Sequence, residues 1–391
     1  MSSSSSISNS SSAASHATLA PRFGARLAKF FIPIVLLGFI AGAIVFVSAE
    51  LLPVSTVAKL QSYGRPFIYL AKFSDHTYRL KVEAILIRKP EILVMGASRS
   101  NQWRSAMFRP TVFYNAGNCL YTQRDYRRML EDIGNDVPRV IIFSVDFYTF
   151  NNDWDTTFGM VSYDDHSGWG SAEHKKILRS LIDQARRDPR SLIQAPIDPV
   201  HQVLALGLMA SSTGIGTRVD GSYQYGSRIL GKQGVSLESA IERTAVGRKP
   251  FQFGARIDQA QRDEFELFVK LAQKKGIALI GVTMPFAPEV VDALNRSQKH
   301  AIWREFQTPE FAEWIERQGV TYFNFTNLDS FGGRPQEFID PFHPSEPAYI
   351  RMLLTMLANN KARAIFPEVD ANALRKRLAE SSDFESYRNN F

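Results

Sequence analysis

Two short segments of the chain contain the side chains that nucleophilic catalysis at a carbonyl requires. Ser98 lies in Gly96-Ala-Ser98-Arg-Ser100, directly after a short apolar run, and Asp340 precedes His343 by three residues in a loop with two prolines. A serine hydroxyl becomes a nucleophile when a base removes its proton, and that base needs a carboxylate to orient it. Each segment alone also fits a plain turn, because serine, aspartate and proline are ordinary turn residues.

The pattern of apolar runs and capping residues predicts the elements that would position these side chains. Short apolar runs predict buried strands at 91–95, 112–114, 140–143, 277–282 and 320–325. Apolar residues at helical spacing, with caps, predict helices after Thr122, up to Gly276, from Thr308 to Gly319 and from Ser345 to Ala358. Strands that alternate with helices predict a three-layer α/β fold with a doubly wound, mostly parallel sheet. In such a sheet ligands bind beyond the carboxyl ends of the strands, where Ser98 lies.

The α/β domain is predicted to span residues 90–365. It is interrupted at about 151–249 by a stretch that does not alternate cleanly and that contains predicted helices at 171–187 and 197–210, followed by glycine-rich turns. We interpret this stretch as an insertion that forms a lid or shapes the substrate site. Residues 51–89 are predicted to be a membrane-proximal connector.

The two ends of the chain differ in character. Residues 1–28 begin with a serine- and alanine-rich tract that cannot bury enough apolar surface to fold, so we predict a disordered cytoplasmic tail. Residues 29–50 are predicted to be a transmembrane anchor, because the uncharged stretch 30–49 is long enough to cross about 30 Å of hydrocarbon. A cleaved signal peptide is the alternative, since Val47-Ser48-Ala49 resembles a cleavage site. Residues 366–391 are predicted to be a C-terminal tail.

Charge and composition limit the function classes. Arg22, Arg26 and Lys29 precede the apolar stretch, so the N-terminus is predicted to stay in the cytoplasm and the domain to be exported. The rest of the net charge of +7 is compatible with an anionic partner such as a lipid surface or an acidic glycan. No basic run with interleaved aromatics suggests nucleic-acid binding. The single cysteine, Cys119, excludes an internal disulfide and a cysteine zinc site, and we expect it to be buried. We predict no metal and no cofactor.

Taken together, the two catalytic segments resemble a known superfamily. Gly-x-Ser after the first strand and Asp-x-x-His before the last helix, with βα units between them, is the layout of the SGNH/GDSL hydrolases, and the likeness covers roughly residues 90–146 and 260–360. The resemblance implies that Ser98 is the nucleophile, His343 the general base and acid, and Asp340 the group that orients it. The α/β-hydrolases share this order of residues, but their elbow has a glycine where this chain has Ser100.

The resemblance also assigns an oxyanion hole. It implies that the backbone N–H groups of Ser98 and Gly117 contribute, with the neighbouring Asn118 as a further donor. The family's third donor is an asparagine side chain, and Asp146 occupies that position here. An ionised aspartate cannot donate a hydrogen bond. Either another donor such as Asn118, Asn151 or Asn152 completes the hole, or the site is weak or has been modified for acyl transfer or binding.

Anchored, exported proteins with such a pattern are similar to the esterase and O-acetyltransferase-like proteins of cell-envelope polymer modification. The resemblance therefore implies an inner-membrane protein with a periplasmic or extracytoplasmic domain. It implies a serine esterase or O-acyltransferase that acts on acyl groups of a cell-envelope glycan or glycolipid, with a membrane acyl-donor protein as a partner. The alternative is a non-catalytic scaffold or glycan-binding component of an envelope polymer machine.

Overall fold

A five-stranded parallel sheet forms the centre of the fold. The computed structural model describes residues 27–33, 35–36, 49–154, 172–192, 195–226 and 235–387. The strands, in chain order, are β1 (Phe67–Tyr69), β2 (Ile92–Met95), β3 (Phe113–Ala116), β4 (Val140–Ser144), β5 (Leu204–Leu206), β6 (Gly216–Arg218), β7 (Tyr223–Gln224), β8 (Ala278–Thr283), β9 (Thr321–Asn324), β10 (Phe338–Asp340) and β11 (His343–Pro344). The large sheet has the order β3-β2-β4-β8-β9, and each neighbouring pair is parallel. The predicted α/β class with a mostly parallel sheet is confirmed.

Both faces of the large sheet are apolar. In β2, Ile92 and Val94 belong to one buried core, and Leu93 and Met95 belong to the other. Strands covered on both faces need uninterrupted apolar runs, which is the pattern that predicted them. The strand order reverses between β2 and β4, because β3 lies on one side of β2 and the later strands lie on the other. Ligands of doubly wound sheets bind at this switch point.

Helices cover both faces. They are α1 (Val54–Ser62), α2 (Thr77–Arg88), α3 (Gln123–Asp132), α4 (Ala172–Arg187), α5 (Leu208–Thr213), α6 (Leu237–Val246), α7 (Gln259–Lys274), α8 (Pro288–Arg296), α9 (Ala301–Phe306), α10 (Pro309–Arg317), α11 (Glu346–Ala358), α12 (Asn360–Ile365) and α13 (Ala371–Ala379). Tyr126 of α3 and Phe265 of α7 pack in the same core as Leu93, whereas Met356 of α11 packs in the core of Ile92.

The predicted ends of several helices are confirmed. Thr122 and Asp125 form a capping box at the start of α3, in which the Asp125 N–H donates to Thr122 Oγ1 at 3.3 Å. Thr308 caps α10 in the same way. Gly276 follows α7 with φ of +73°, a conformation that glycine adopts without a steric penalty.

A second, smaller sheet joins the segment before the α/β domain to the inserted region. Its order is β5-β1-β6-β7, so β1 comes from residues 51–89 and its partners come from residues 195–226. Val57 of α1 and Ile85 of α2 are fully buried in the same core as Leu93. The segment interpreted as a connector is therefore packed against the α/β domain.

The chain after α11 also packs on the domain. Leu374 of α13, Phe366 and Tyr387 lie in the same apolar core as α11. Ser345 occupies the capping position of α11, but its hydroxyl donates to the carbonyl of Asp383 at 2.6 Å rather than capping the helix.

The predicted helix at 197–210 is wrong. Residues 204–206 instead form β5, which pairs with β1, and the shorter α5 follows. Gly207 separates them with φ of +97°, and its α-carbon lies close to the Leu70 carbonyl. Pairing with the edge of β1 therefore outweighs the local apolar pattern.

The predicted N-terminal elements fall mainly outside the described residues. This holds for most of the tail at 1–28 and for most of the membrane segment at 29–50. Within the part of the chain that the structure describes, no helix combines the length and hydropathy that crossing a bilayer requires.

Candidate active site

Ser98, His343 and Asp340 form a hydrogen-bonded chain. His343 Nε2 lies 2.8 Å from Ser98 Oγ, and His343 Nδ1 lies 2.8 and 2.9 Å from the two carboxylate oxygens of Asp340. An imidazole whose Nδ1–H donates to a carboxylate presents Nε2 as an acceptor, so the Ser98 hydroxyl donates to it. In this arrangement the histidine can remove the serine proton. The fold thus brings Ser98 beside the Asp340–His343 segment, although Ser98 and His343 lie 245 residues apart in the sequence.

A tight two-stranded ladder fixes the acid and the base. Asp340 ends β10 and His343 begins β11, and the two residues are directly paired. Asp340 Oδ1 also accepts the Phe342 N–H at 2.9 Å, so the Asx-turn considered as an alternative is present in the same loop. The Pro341 carbonyl accepts the Ala287 N–H at 3.0 Å, which holds the loop against the chain that follows β8. The turn therefore orients the carboxylate towards the imidazole.

Ser98 begins a short 3-10 turn directly after β2. Gly96 precedes it, and a Cβ at that position would overlap the side chains of Ser100 and Ser144. The inserted region supports this turn, because the Tyr225 hydroxyl donates to the Ser98 carbonyl at 3.4 Å. The Tyr225 ring also lies 5.4 Å from the His343 ring, measured between centroids. The inserted region is thus part of the site's wall.

The backbone N–H of Gly117 is already engaged. It donates to Asn115 Oδ1 at 2.7 Å, while Asn115 Nδ2 donates to the carbonyls of Ser100 and Trp103 at 3.0 and 2.9 Å. Asn118 has φ of +68°, and neither it nor Gly117 lines the cavity beside Ser98. In this conformation the Gly117 N–H is committed to Asn115 and is not free to bind an oxyanion. Ser98 is the first residue of its 3-10 turn, so its backbone N–H has no acceptor within that turn.

Asp146 forms a buried ion pair with the residue next to the nucleophile. Arg99 Nη1 lies 2.6 Å from Asp146 Oδ1, and the Tyr148 hydroxyl donates to Asp146 Oδ2 at 2.9 Å. The Arg99 guanidinium also donates to the Met284 carbonyl and lies 3.7 Å from the centroid of the Phe286 ring. Burial raises the pKa of the Asp146 carboxyl, and Arg99 opposes that rise. Asp146 thus holds Arg99 and donates nothing to the site.

A cavity of about 210 Å³ opens beside the serine. Ser98, Arg99 and His343 line it together with two further cationic side chains, Arg243 and Lys249. The rest of the lining is largely aromatic, with Tyr121, Tyr148, Trp154, Phe286 and Phe342 beside Ala97 and Pro250. A pocket of this kind can enclose an acyl group or a sugar ring against flat apolar surfaces.

A buried charge network lies between the inserted region and the start of α11. Arg104 pairs with Glu346 and, at 3.3 Å, with Asp220, and Arg218 Nη2 lies 3.7 Å from Glu346. Glu346 also accepts the Ser386 N–H at 2.8 Å. Arg104 and Asp220 hold each other charged despite burial, and Arg104 depresses the Asp220 pKa. This network fastens the insertion to the helix that follows His343.

The remaining candidates have other partners. Asn151 Nδ2 donates to the carbonyls of Gln252 and Phe253 at 3.1 and 3.4 Å, and neither Asn151 nor Asn152 lines the cavity. Cys119 is buried as expected, and burial raises the pKa of its thiol to about 12.

Sequence reasoning missed most of the residues around the site, among them Arg99, Tyr225, Arg243 and Phe342. Arg99 and Phe342 are adjacent to predicted catalytic residues, and that adjacency was the available signal. Tyr225 and Arg243 come from the inserted region, and no local pattern places them near Ser98.

The fold and the site geometry stand without support from known relatives. Comparison of the chain with protein-family models, with curated proteins and with solved structures finds no match.

Proposed function

We propose that the protein is a serine esterase or O-acyltransferase of the SGNH/GDSL type. The single observation that carries the proposal is the Ser98–His343–Asp340 chain, with 2.8 Å between serine and imidazole and 2.8 Å between imidazole and carboxylate. Its place after β2, at the switch point of a doubly wound sheet and beside a cavity, also fits an enzyme of this class.

The proposed reaction proceeds through an acyl-enzyme. Ser98 Oγ attacks the ester carbonyl while its proton passes to His343 Nε2, and Asp340 stabilises the imidazolium. The C–O bond to the leaving alcohol then breaks, and the alcohol departs with the proton from His343. Water or a sugar hydroxyl next gives its proton to His343 and attacks the acyl carbon, and the bond from that carbon to Ser98 Oγ breaks as His343 returns the proton to the serine oxygen. Water yields an acid, and a sugar hydroxyl yields a new ester.

The cellular setting of the proposal rests on the N-terminal sequence and on the family resemblance. We propose an anchor at 30–49 in the inner membrane and an exported domain that acts on acyl groups of an envelope polysaccharide or glycolipid. A membrane acyl-donor protein would supply the acyl group in the transferase version.

Two observations favour a second candidate, a non-catalytic glycan-binding component. The Gly117 N–H is engaged by Asn115, and Asp146 is paired with Arg99. Two of the three oxyanion donors of the family are therefore not aimed at Ser98. Loss of one such donor typically costs a factor of about 10²–10³ in rate.

Rapid-quench mass spectrometry separates the two candidates. The wild-type chain is mixed with an aryl acetate, quenched within the first turnover and digested, with Ser98→Ala in parallel. The enzyme proposal predicts an acetyl group on the peptide that contains Ser98, lost in the variant. Aryl acetate turnover that is equal in wild type and variant would reject Ser98 as nucleophile, and no turnover in the folded wild type would favour the binding component.

A further inference from the structure

The charged side chains that line the catalytic cavity have one sign. Among the described residues that line it, Arg99, Arg243 and Lys249 are cationic and none carries a carboxylate. Arg99 is balanced by Asp146, which lies 2.6 Å away and is fully buried. The charge that a ligand would meet therefore comes from the inserted region, at the end of α6 and just beyond it.

Arg243 is the first of the two cationic side chains that the inserted region contributes to the cavity. It lies in the last turn of α6 and is half-buried. Its neighbour Arg248 has an ion-pair partner, Glu242, at 3.4 Å. Within the part of the chain that the structure describes, the Arg243 guanidinium has no ion-pair partner. Its one contact there is a cation–π contact with the Phe342 ring, at 5.7 Å from the centroid.

That ring belongs to the catalytic loop. Phe342 lies between Asp340 and His343 and lines the cavity with both Ser98 and Arg243. The cation therefore lies beside the loop that carries the catalytic base. A guanidinium with unused donors binds carboxylates and phosphates in a planar, two-pronged geometry, and such bonds are stronger than neutral ones.

We infer that the substrate is an ester with an anionic group, a carboxylate or a phosphate, close to its scissile bond, and that Arg243 binds this group. The ester part of this inference rests on the proposed function, whereas the anionic part rests on the cavity alone. Lys249 adds a second cation to the lining, and the aromatic walls pack against the uncharged part of the ligand.

Selectivity between two matched esters tests the inference. The probes are 4-acetoxybenzoate and its neutral amide, 4-acetoxybenzamide, which differ in charge and little in shape. The full chain is expected to prefer the anionic ester. Arg243→Met should lower kcat/KM for 4-acetoxybenzoate about 10-fold, as expected for one charged hydrogen bond. The loss on 4-acetoxybenzamide should be clearly smaller, since that probe lacks the charge that Arg243 binds.

Arg248→Met is the matched control, because it removes one arginine from the same segment outside the cavity. It should leave the preference unchanged, since Arg248 does not line the cavity, and any effect of the protein's overall charge would appear equally in both variants. An equal loss on both esters in Arg243→Met, or an equal loss of preference in the two variants, would overturn the assignment.

Binding of the phenolic products separates this inference from the proposed function. Calorimetry of 4-hydroxybenzoate and 4-hydroxybenzamide requires no turnover. If neither ester is cleaved but 4-hydroxybenzoate binds more tightly and loses that advantage in Arg243→Met, the enzyme proposal fails and the anion site stands. Equal binding of the two phenols by the wild-type chain would remove the anion site, whatever the activity.

Discussion

Asp340 and Asp146 both lie near the carboxyl edge of the large sheet, and both are buried beside a basic side chain. Asp340 faces His343, an imidazole that reaches Ser98 at the wall of the cavity. Asp146 faces Arg99, a guanidinium held between Asp146 and the Met284 carbonyl. An imidazole can take up and release a proton near neutral pH, whereas a guanidinium stays charged. The first pair can therefore carry out acid–base chemistry, and the second provides a fixed charge.

The difference explains how a buried aspartate is tolerated at position 146. An aspartate alone in that place would be a buried, unpaired charge, which is costly. Arg99 neutralises it and at the same time packs on the Phe286 ring. Asp146 thus serves as an anchor for Arg99.

Removal of the nucleophile or the base should cause the largest loss of turnover. Ser98→Ala and His343→Ala are each expected to lower kcat for an aryl acetate by about 10⁴-fold or more, because the attacking oxygen or its proton acceptor is gone. Steady-state turnover with circular dichroism as a check on folding measures this. A variant that keeps a tenth of the wild-type rate would contradict the assigned role.

Asp340→Asn should reduce turnover nearly as strongly, by about 10⁴-fold, because an amide can hold the imidazole in the wrong tautomer. The amide oxygen can still accept the Phe342 N–H, so the loop is expected to fold. Thermal unfolding measured beside turnover should show a small change in stability and a large change in rate. A large loss of stability with little loss of rate would make Asp340 a structural residue only.

Asp146→Asn should harm the protein rather than restore a family donor. Breaking one side of a buried pair typically costs about 3–5 kcal/mol, because the partner charge stays buried. Urea unfolding measures the free energy of unfolding, and turnover should fall as Arg99 loses its anchor. In the double variant Arg99→Met with Asp146→Asn, much of the stability should return, since both charges are removed. Increased turnover in Asp146→Asn would instead show that the aspartate is a lost oxyanion donor.

Lys81 offers a smaller test, of a buried base that has no carboxylate of the described residues at hydrogen-bond distance. Its ammonium donates to the carbonyls of Asn115, at 2.9 Å, and Gly221, and burial lowers its pKa from 10.5 to about 8. The unfolded chain therefore binds more protons than the folded chain between about pH 8 and 10.5. Stability attributable to Lys81 should rise with pH in that window, by up to about 1 kcal/mol per unit.

Comparison with Lys81→Met isolates this contribution from the other groups that titrate. The free energy of unfolding of the wild type should rise relative to that of the variant from pH 8 to pH 9.5. A constant difference would mean that Lys81 has the same pKa in both states.

The sequence predicted the parts of the fold that local patterns control. The buried strands β2, β4 and β8 are uninterrupted apolar runs, and the capping box at Thr122 is a local signal, so both were found. Ser98 was paired with His343 through the resemblance to the SGNH/GDSL layout, in which one segment follows the first strand and the other precedes the last helix.

The rest depends on contacts between distant segments. Nothing near residues 204–206 indicates that β1 would pair with them, so a helix was predicted there instead. The engagement of Asp146 by Arg99 depends on how two loops meet. The position of Arg243 near Phe342 depends on how the inserted region packs, which no short pattern encodes.

Labelling with a fluorophosphonate probe tests the central claim most directly, because the probe reacts with a serine only when that serine is activated. A working triad should give labelling of the wild-type chain, and none in Ser98→Ala or His343→Ala. Failure of a correctly folded wild-type chain to label, or labelling that persists in both variants, would contradict a working Ser98–His343–Asp340 triad.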